Sequence, residues 1–299
     1  MNNIQLFLNN GIVIIFSILI SLVHGCNQGK ENPQISIITD NDPGKPVQYA
    51  IKKLTDALSS KNIAFEKTGS ISEANGKTVI AAGLANGGGT ASQLLKAGNK
   101  IVPEIPEALT IWKTDWQKKP VWGISGFDDR GLMYALLDVA DRIGWSTDLK
   151  SPMREVKEIT EKPNVAERAI SIYTMNRNYW ESKLYNEAYW ERYLDMLAEN
   201  RFNSLVVIFG YENGGFLAPC YPYFFDVEGF PDIRMVGLTP QQQQHNLEAF
   251  NQLIQMSHDR GIKLKVGIWD HIYRGGVQGT GSKETEHAPD KPIEGLVWG

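Results

Sequence analysis

The sequence predicts a mixed α/β protein in two parts, a small N-terminal α/β sandwich followed by the opening strands of a parallel barrel. Three observations predict it. Over residues 35–145, short β-branched runs alternate with helical patterns. From Arg168 on, each continuous apolar strand is followed by a long amphipathic stretch, the spacing of βα units. Between them, residues 152–165 are charged and carry prolines, the composition of a linker. A length of 299 residues suits two domains, and 42% hydrophobic with 21% charged residues is the composition of a chain that buries sizeable cores. A formal net charge of −4 leaves no basic footprint for nucleic acid.

The N-terminus has the layout of an export signal. The apolar run GIVIIFSILISLV at residues 11–23 is shorter than the about 20 residues a bilayer span needs. It ends in Leu22-Val23-His24-Gly25-Cys26, which resembles a bacterial lipoprotein lipobox with Cys26 as the lipidated residue, although residues 1–10 contain no Lys or Arg. Residues 1–25 therefore read as a signal peptide and 26–34 as a polar tether. The expected location is the cell envelope, with membrane attachment through the lipid; without lipidation the same layout predicts secretion. The other of the two cysteines, Cys220, lies among aromatics and reads as a small buried hydrophobe.

In the first domain, residues 35–151, strands are expected at 35–38, 62–66, 78–82, 108–112 and 121–125. Helices are expected at 47–58, where apolar residues recur at 47, 50, 51, 54, 57 and 58, at 92–96, and at 131–143. The second domain, 166–299, opens with a strand at 169–173 and a helix at 187–200, then a strand at 204–209. Thr239-Pro240 pairs a good N-cap with a residue preorganised for the first turn, so a helix runs from there to Arg260. Gly261 caps it and a third strand follows at 263–269. A closed (β/α)8 barrel takes about 250 residues, so the reading is an incomplete TIM (β/α)8 barrel with about three strands present, the N-terminal part of a longer enzyme or a truncated product.

Two glycine-bearing motifs stand out in the first domain. Gly83-Leu-Ala-Asn-Gly87-Gly88-Gly89 follows a strand and precedes a helix, but it has neither G-x-G-x-x-G nor Walker spacing, and it reads as a flexible surface turn. In Gly126-Phe-Asp128-Asp129-Arg130-Gly131-Leu-Met-Tyr134-Ala, Asp128 or Asp129 caps a helix that Gly131 lets approach the sheet closely. This second segment resembles the end of the α/β domain that precedes the barrel in family 20 β-hexosaminidases and family 67 α-glucuronidases. The resemblance implies a glycoside hydrolase, with a non-catalytic first domain. In family 20 the catalytic Asp-Glu pair lies on the fourth barrel strand, so the resemblance carries no catalytic residue onto this chain. Arg168 falls near the family's substrate-holding Arg, at the beginning of the first barrel strand.

In parallel barrels, ligands meet the C-terminal strand ends. The residues there are Asn176 and Arg177 after the first strand, Tyr211 and Glu212 after the second, and Trp269, Asp270 and His271 after the third. Aromatics stack on apolar sugar faces while amides, carboxylates and guanidinium groups meet hydroxyls, so these seven are the candidate substrate-binding residues for a carbohydrate. The long loop 216–238, rich in Phe and Tyr, is expected to form an aromatic lid or wall over the cleft. The histidines show no metal-ligand spacing, so neither a metal nor another cofactor is expected. The function expected is hydrolysis of glycosidic bonds in polysaccharide or host-glycan fragments; a non-catalytic glycan-binding lipoprotein is the alternative.

Overall fold

The computed structural model describes residues 32–171, 182–209, 217–218, 221–226, 228–229 and 238–268. The first sheet holds β1 (Ile35–Thr39), β2 (Phe65–Lys67), β3 (Thr78–Leu84), β4 (Leu109–Trp116), β5 (Lys119–Gly126) and β6 (Ile159–Glu161), in the order β2-β1-β3-β5-β4-β6. Strands β1, β2, β3 and β5 are parallel, and β4 runs antiparallel to both its neighbours. Alternation along the strands sorts side chains onto two faces. Ile35, Ile37, Ile80 and Ala82 share a core with helices α1 (Lys45–Ser60) and α3 (Asp129–Trp145), whereas Ile38, Val79 and Ala81 pack with α2 (Thr90–Ala97) on the other face.

Helix α3 is buried at nearly every position from Gly131 to Ala140. A helix apolar all round must be covered on both sides, and here the sheet covers one side while α1 and the helices of the second part cover the rest. Asp128 is its cap, accepting a hydrogen bond from the Gly131 N–H at 2.8 Å. A Cβ on Gly131 would lie 2.3 Å from the Ala108 carbonyl oxygen, so the close approach of helix and sheet does require glycine there.

The second part has β7 (Ala169–Ser171), β8 (Ser204–Phe209) and β10 (Lys263–Ile268) in the order β10-β8-β7, all parallel, with β9 (Leu217–Ala218) pairing the end of β8. Helices α4 (Glu187–Glu199) and α5 (Pro240–Asp259) follow β7 and β8 in the chain. Asn186 caps α4, and Thr239 with Gln242 forms a reciprocal capping box on α5. The protein is thus an α/β fold with a mixed sheet and a second, parallel βα unit. Among the described residues, no helix is long and apolar enough to cross a membrane.

Several expectations change. The strand expected at 62–66 begins only at Phe65, because Asn62, at φ 55°, and the Ile63 N–H, bonded to the Leu58 carbonyl at 3.0 Å, are spent terminating α1. Strands β4 and β5 are longer than expected because Gln117 and Lys118, both at positive φ, close a two-residue hairpin without glycine. Residues 159–161, inside the stretch read as a linker, supply the edge strand β6. Tyr223 and Phe224 are no lid: both are buried in the core, with the Phe224 ring 5.3 Å from that of Phe250 on α5. Phe216, Cys220, Phe230 and Tyr173 lie outside the described residues, as do the signal peptide and most of the tether.

Candidate functional site

Strand register defines the two ends of the parallel unit. Ala169, Ser204 and Lys263 are aligned at its start, and Phe209 is aligned with Ile268 at its finish. The chain therefore leaves β7, β8 and β10 on the same side, where parallel barrels place their ligands. Asn176, Arg177, Tyr211, Glu212, Trp269, Asp270 and His271, the seven candidate residues, lie outside the described residues, and so does Cys26.

What is described beside that edge is its support. Tyr185, just ahead of α4, stacks on His245 of α5 with ring centroids 4.5 Å apart, and its hydroxyl donates to Asn246 Oδ1. Asn246, itself buried, donates from Nδ2 to the Tyr223 carbonyl at 2.9 Å, and Gln243 Nε2 donates to the Pro222 carbonyl at 3.0 Å. These bonds fasten the segment 221–224 to the first turns of α5, whose N-terminus belongs to the ligand side of a βα unit.

The opposite end of the strands meets the first domain. Glu107, with a side chain only 4% exposed, forms ion pairs with Arg168, just before β7, and with Arg130 of α3 at 3.0 Å. Asn203, just before β8, donates to Glu107 Oε1 at 2.8 Å. Glu107 also sits at φ 68°, a left-handed conformation unusual for a residue with a side chain, and its N–H donates to the Asp128 carboxylate at 3.2 Å. Nearby, burial pushes the Tyr134 hydroxyl up to about 12, with the Glu107 charge adding to it. Arg168 further donates to the Arg201 carbonyl at 2.6 Å and the Val165 carbonyl at 2.7 Å. Its guanidinium is thereby committed at the N-terminal end of the barrel strands, so the substrate-holding role implied for it by resemblance is corrected to a structural one.

A second ionic cluster joins the two parts along α1. Lys53 lies 2.6 Å from Asp195 and 3.0 Å from Glu199, both on α4, and Arg260, after α5, reaches Asp195 at 2.6 Å. The Lys53 ammonium and Arg260 guanidinium also stand 5.6 Å and 5.1 Å from the Tyr49 ring centroid. Burial pushes the Asp195 carboxyl up, but hydrogen bonds and charge from Lys53 and Arg260 outweigh it and hold the group below its ordinary range. A carboxyl depressed by folding contributes stability above its unfolded pKa and loses it as pH falls through the folded one. Melting temperatures measured from about pH 5 down to about pH 2 should therefore fall more steeply in the native protein than in Asp195→Asn; parallel curves would remove Asp195 from the account.

The fold also has counterparts among known proteins. No family model matches the chain, and no curated protein matches it. Among solved structures it is similar to a GH138 enzyme targeting pectin rhamnogalacturonan II, with TM-score 0.58 and 19% identity, covering 80% of this chain and 32% of that one. It is also similar to CpGH84D, with TM-score 0.51 and 12% identity, covering 84% of this chain and 36% of the other. The fold is glycoside hydrolase-like. This chain spans about a third of the length of these two proteins.

The glycine-rich loop is an exposed turn at residues 86–88, and the fold gives it a partner. It wraps the Asp40 carboxylate at the end of β1: the Leu84 N–H donates to Asp40 Oδ2 at 2.9 Å, and Cβ atoms on Gly83, Gly87 and Gly89 would fall within 2.5 Å of that carboxylate. Burial raises the Asp40 carboxyl against the pull of that N–H. An acidic group thus occupies the place where a phosphate would sit before α2, which argues against anion binding there. Among the described residues, no group of three or more His, Cys, Asp or Glu could hold a metal ion. Sequence reasoning missed Glu107, Asn203, Asp195 and Asp40, whose partners are brought to them only by the fold.

Proposed function

We propose that this chain is an exported, lipid-anchored protein of glycoside hydrolase type that binds a glycan at the C-terminal edge of β7, β8 and β10. The observation that carries the reading is the parallel register of those strands, which sends three segments rich in aromatic, amide and carboxylate groups off one edge. The glycoside hydrolase-like fold supports it, and the GH138 counterpart, which targets a pectin, makes acidic plant polysaccharides a first substrate class to test. In this reading Trp269 and Tyr211 stack on pyranose faces. Asn176, Arg177 and His271 meet hydroxyls or carboxylates, and Glu212 and Asp270 accept hydroxyl hydrogen bonds that strengthen as water is excluded.

Glycosidic hydrolysis requires two carboxyl groups, or one with a participating substrate group, and Glu212 and Asp270 are the acidic residues we place on the rim. Titration calorimetry with pectic oligosaccharides tests the reading. Trp269→Ala and Asp270→Asn should each weaken binding by about 1–3 kcal/mol, and unchanged affinity in both would move the glycan elsewhere. For the anchor, Cys26→Ser should shift the protein from the membrane to the soluble fraction; persistence in the membrane would remove lipidation at Cys26 from the proposal.

A further inference from the structure

The start of the first sheet carries a feature that glycan binding does not use. Where β1, β3 and β5 begin, a groove of about 600 Å³ opens, with Gln34 and Ile35 on one wall and Lys77, Lys113, Lys150 and Arg154 around it. All four cationic side chains belong to exposed residues. Among the described residues its one acidic lining residue, Asp148, stands 3.8 Å from Arg154. The three lysine ammonium groups have no ion-pair or hydrogen-bond partner among the described residues. This is a concentration of positive charge on a chain whose formal net charge is −4.

Two large apolar side chains accompany the charge. Helix α3 runs back from the end of β5, so its C-terminus reaches the same sheet edge, and there Trp145 is 66% exposed. Leu149, between the groove residues Asp148 and Lys150, is 52% exposed. Exposed Trp and Leu beside lysines is the composition of a membrane-interface contact, where an amphipathic ring sits at headgroup level and cations meet lipid phosphates.

The position of the groove in the chain supplies the orientation. Gln34 lines it, and only residues 27–33 separate Gln34 from Cys26. Even fully extended, that stretch spans about 30 Å. The barrel strands meet the domain at Arg130 and Glu107, at the other end of β5. We propose that this basic groove docks on the anionic phospholipid headgroups of the bilayer that holds the anchor, fixing the first domain on the membrane and the barrel away from it. The proposal rests on the anchoring part of the reading above and is independent of the glycan site.

The test mixes the purified full chain with sedimenting vesicles of phosphatidylcholine alone, or of phosphatidylcholine and phosphatidylglycerol in equal parts. The apolar segment at 11–23 is common to every variant and carries no charge, so the groove is read as the preference for anionic vesicles. Each lysine near an anionic surface is worth about fivefold in binding, so that preference should be at least about tenfold and should shrink as salt is added. Lys77→Glu/Lys113→Glu/Lys150→Glu should abolish it with no change in melting temperature, and Trp145→Ser/Leu149→Ser should weaken binding to both vesicles.

Equal binding of the native chain to the two vesicles, or a preference that survives the triple change, would overturn the proposal. So would polygalacturonate, a soluble acidic polysaccharide, binding in a manner the triple change abolishes while anionic vesicles do not bind. Because the vesicles are added to purified chain, acylation is not needed, and a failed Cys26→Ser fractionation would be seen separately.

Discussion

Replacing Glu107 by alanine should lower the unfolding free energy by about 3–5 kcal/mol, the scale of leaving buried charges without their partner. The carboxylate is held by Arg130, Arg168 and Asn203 at once. Removing it leaves two guanidinium groups facing each other across the junction of the two parts. The arginines are partly exposed, with side chains about a fifth accessible, so water offsets some of the loss and the effect falls toward the lower end of the range. Backbone conformation adds a second, separable effect. At φ 68° alanine stays strained and glycine does not, so Glu107→Gly should be less damaging than Glu107→Ala by about 1 kcal/mol. Chemical denaturation of both variants, with Arg168→Ala and the double change, gives the coupling energy directly. Additive effects of Glu107→Ala and Arg168→Ala would mean the ion pair does not hold the parts together.

A comparable loss, about 3–5 kcal/mol, is expected for Trp190→Ala. Trp190 is among the largest fully buried side chains, and it belongs to the same continuous core as Leu54 of α1, Leu136 of α3 and Leu194 of α4. That core runs from the first sheet through its two helices into the barrel helices without a break. The cavity left by the indole cannot collapse easily, because α1 and α4 are also pinned by Lys53, Asp195 and Glu199. Because the core is shared, the transition should remain single and shift as a whole. Two separate calorimetric transitions in the native protein would show instead that the parts unfold independently.

Local signals were legible in the sequence and non-local ones were not. The Thr239 cap with Pro240 and the Asp128 cap depend on residues within one turn of each other, so pattern and residue type suffice. Strand β6 depends on pairing with β4, about fifty residues earlier in the chain, and nothing in its own short sequence announces an edge strand. The Gln117-Lys118 hairpin lacks the Gly or Asn that normally marks its turn. Glu107 is separated from its Arg168 partner by 61 residues and from Asn203 by 96, so charge alone could not single it out. The same applies to the glycine-rich loop, whose spacing is not that of a nucleotide site but whose partner, Asp40, lies upstream of α1, β2 and β3.

Hydrogen exchange with and without a pectic oligosaccharide locates the bound glycan on the fold. If the glycan sits at the C-terminal edge of the parallel strands, ligand should protect the amides of residues 172–177, 210–215 and 269–274. It should leave Glu107, Arg168 and Asn203 at the opposite end unchanged. Protection confined to that opposite end, or to the first sheet, would contradict that placement.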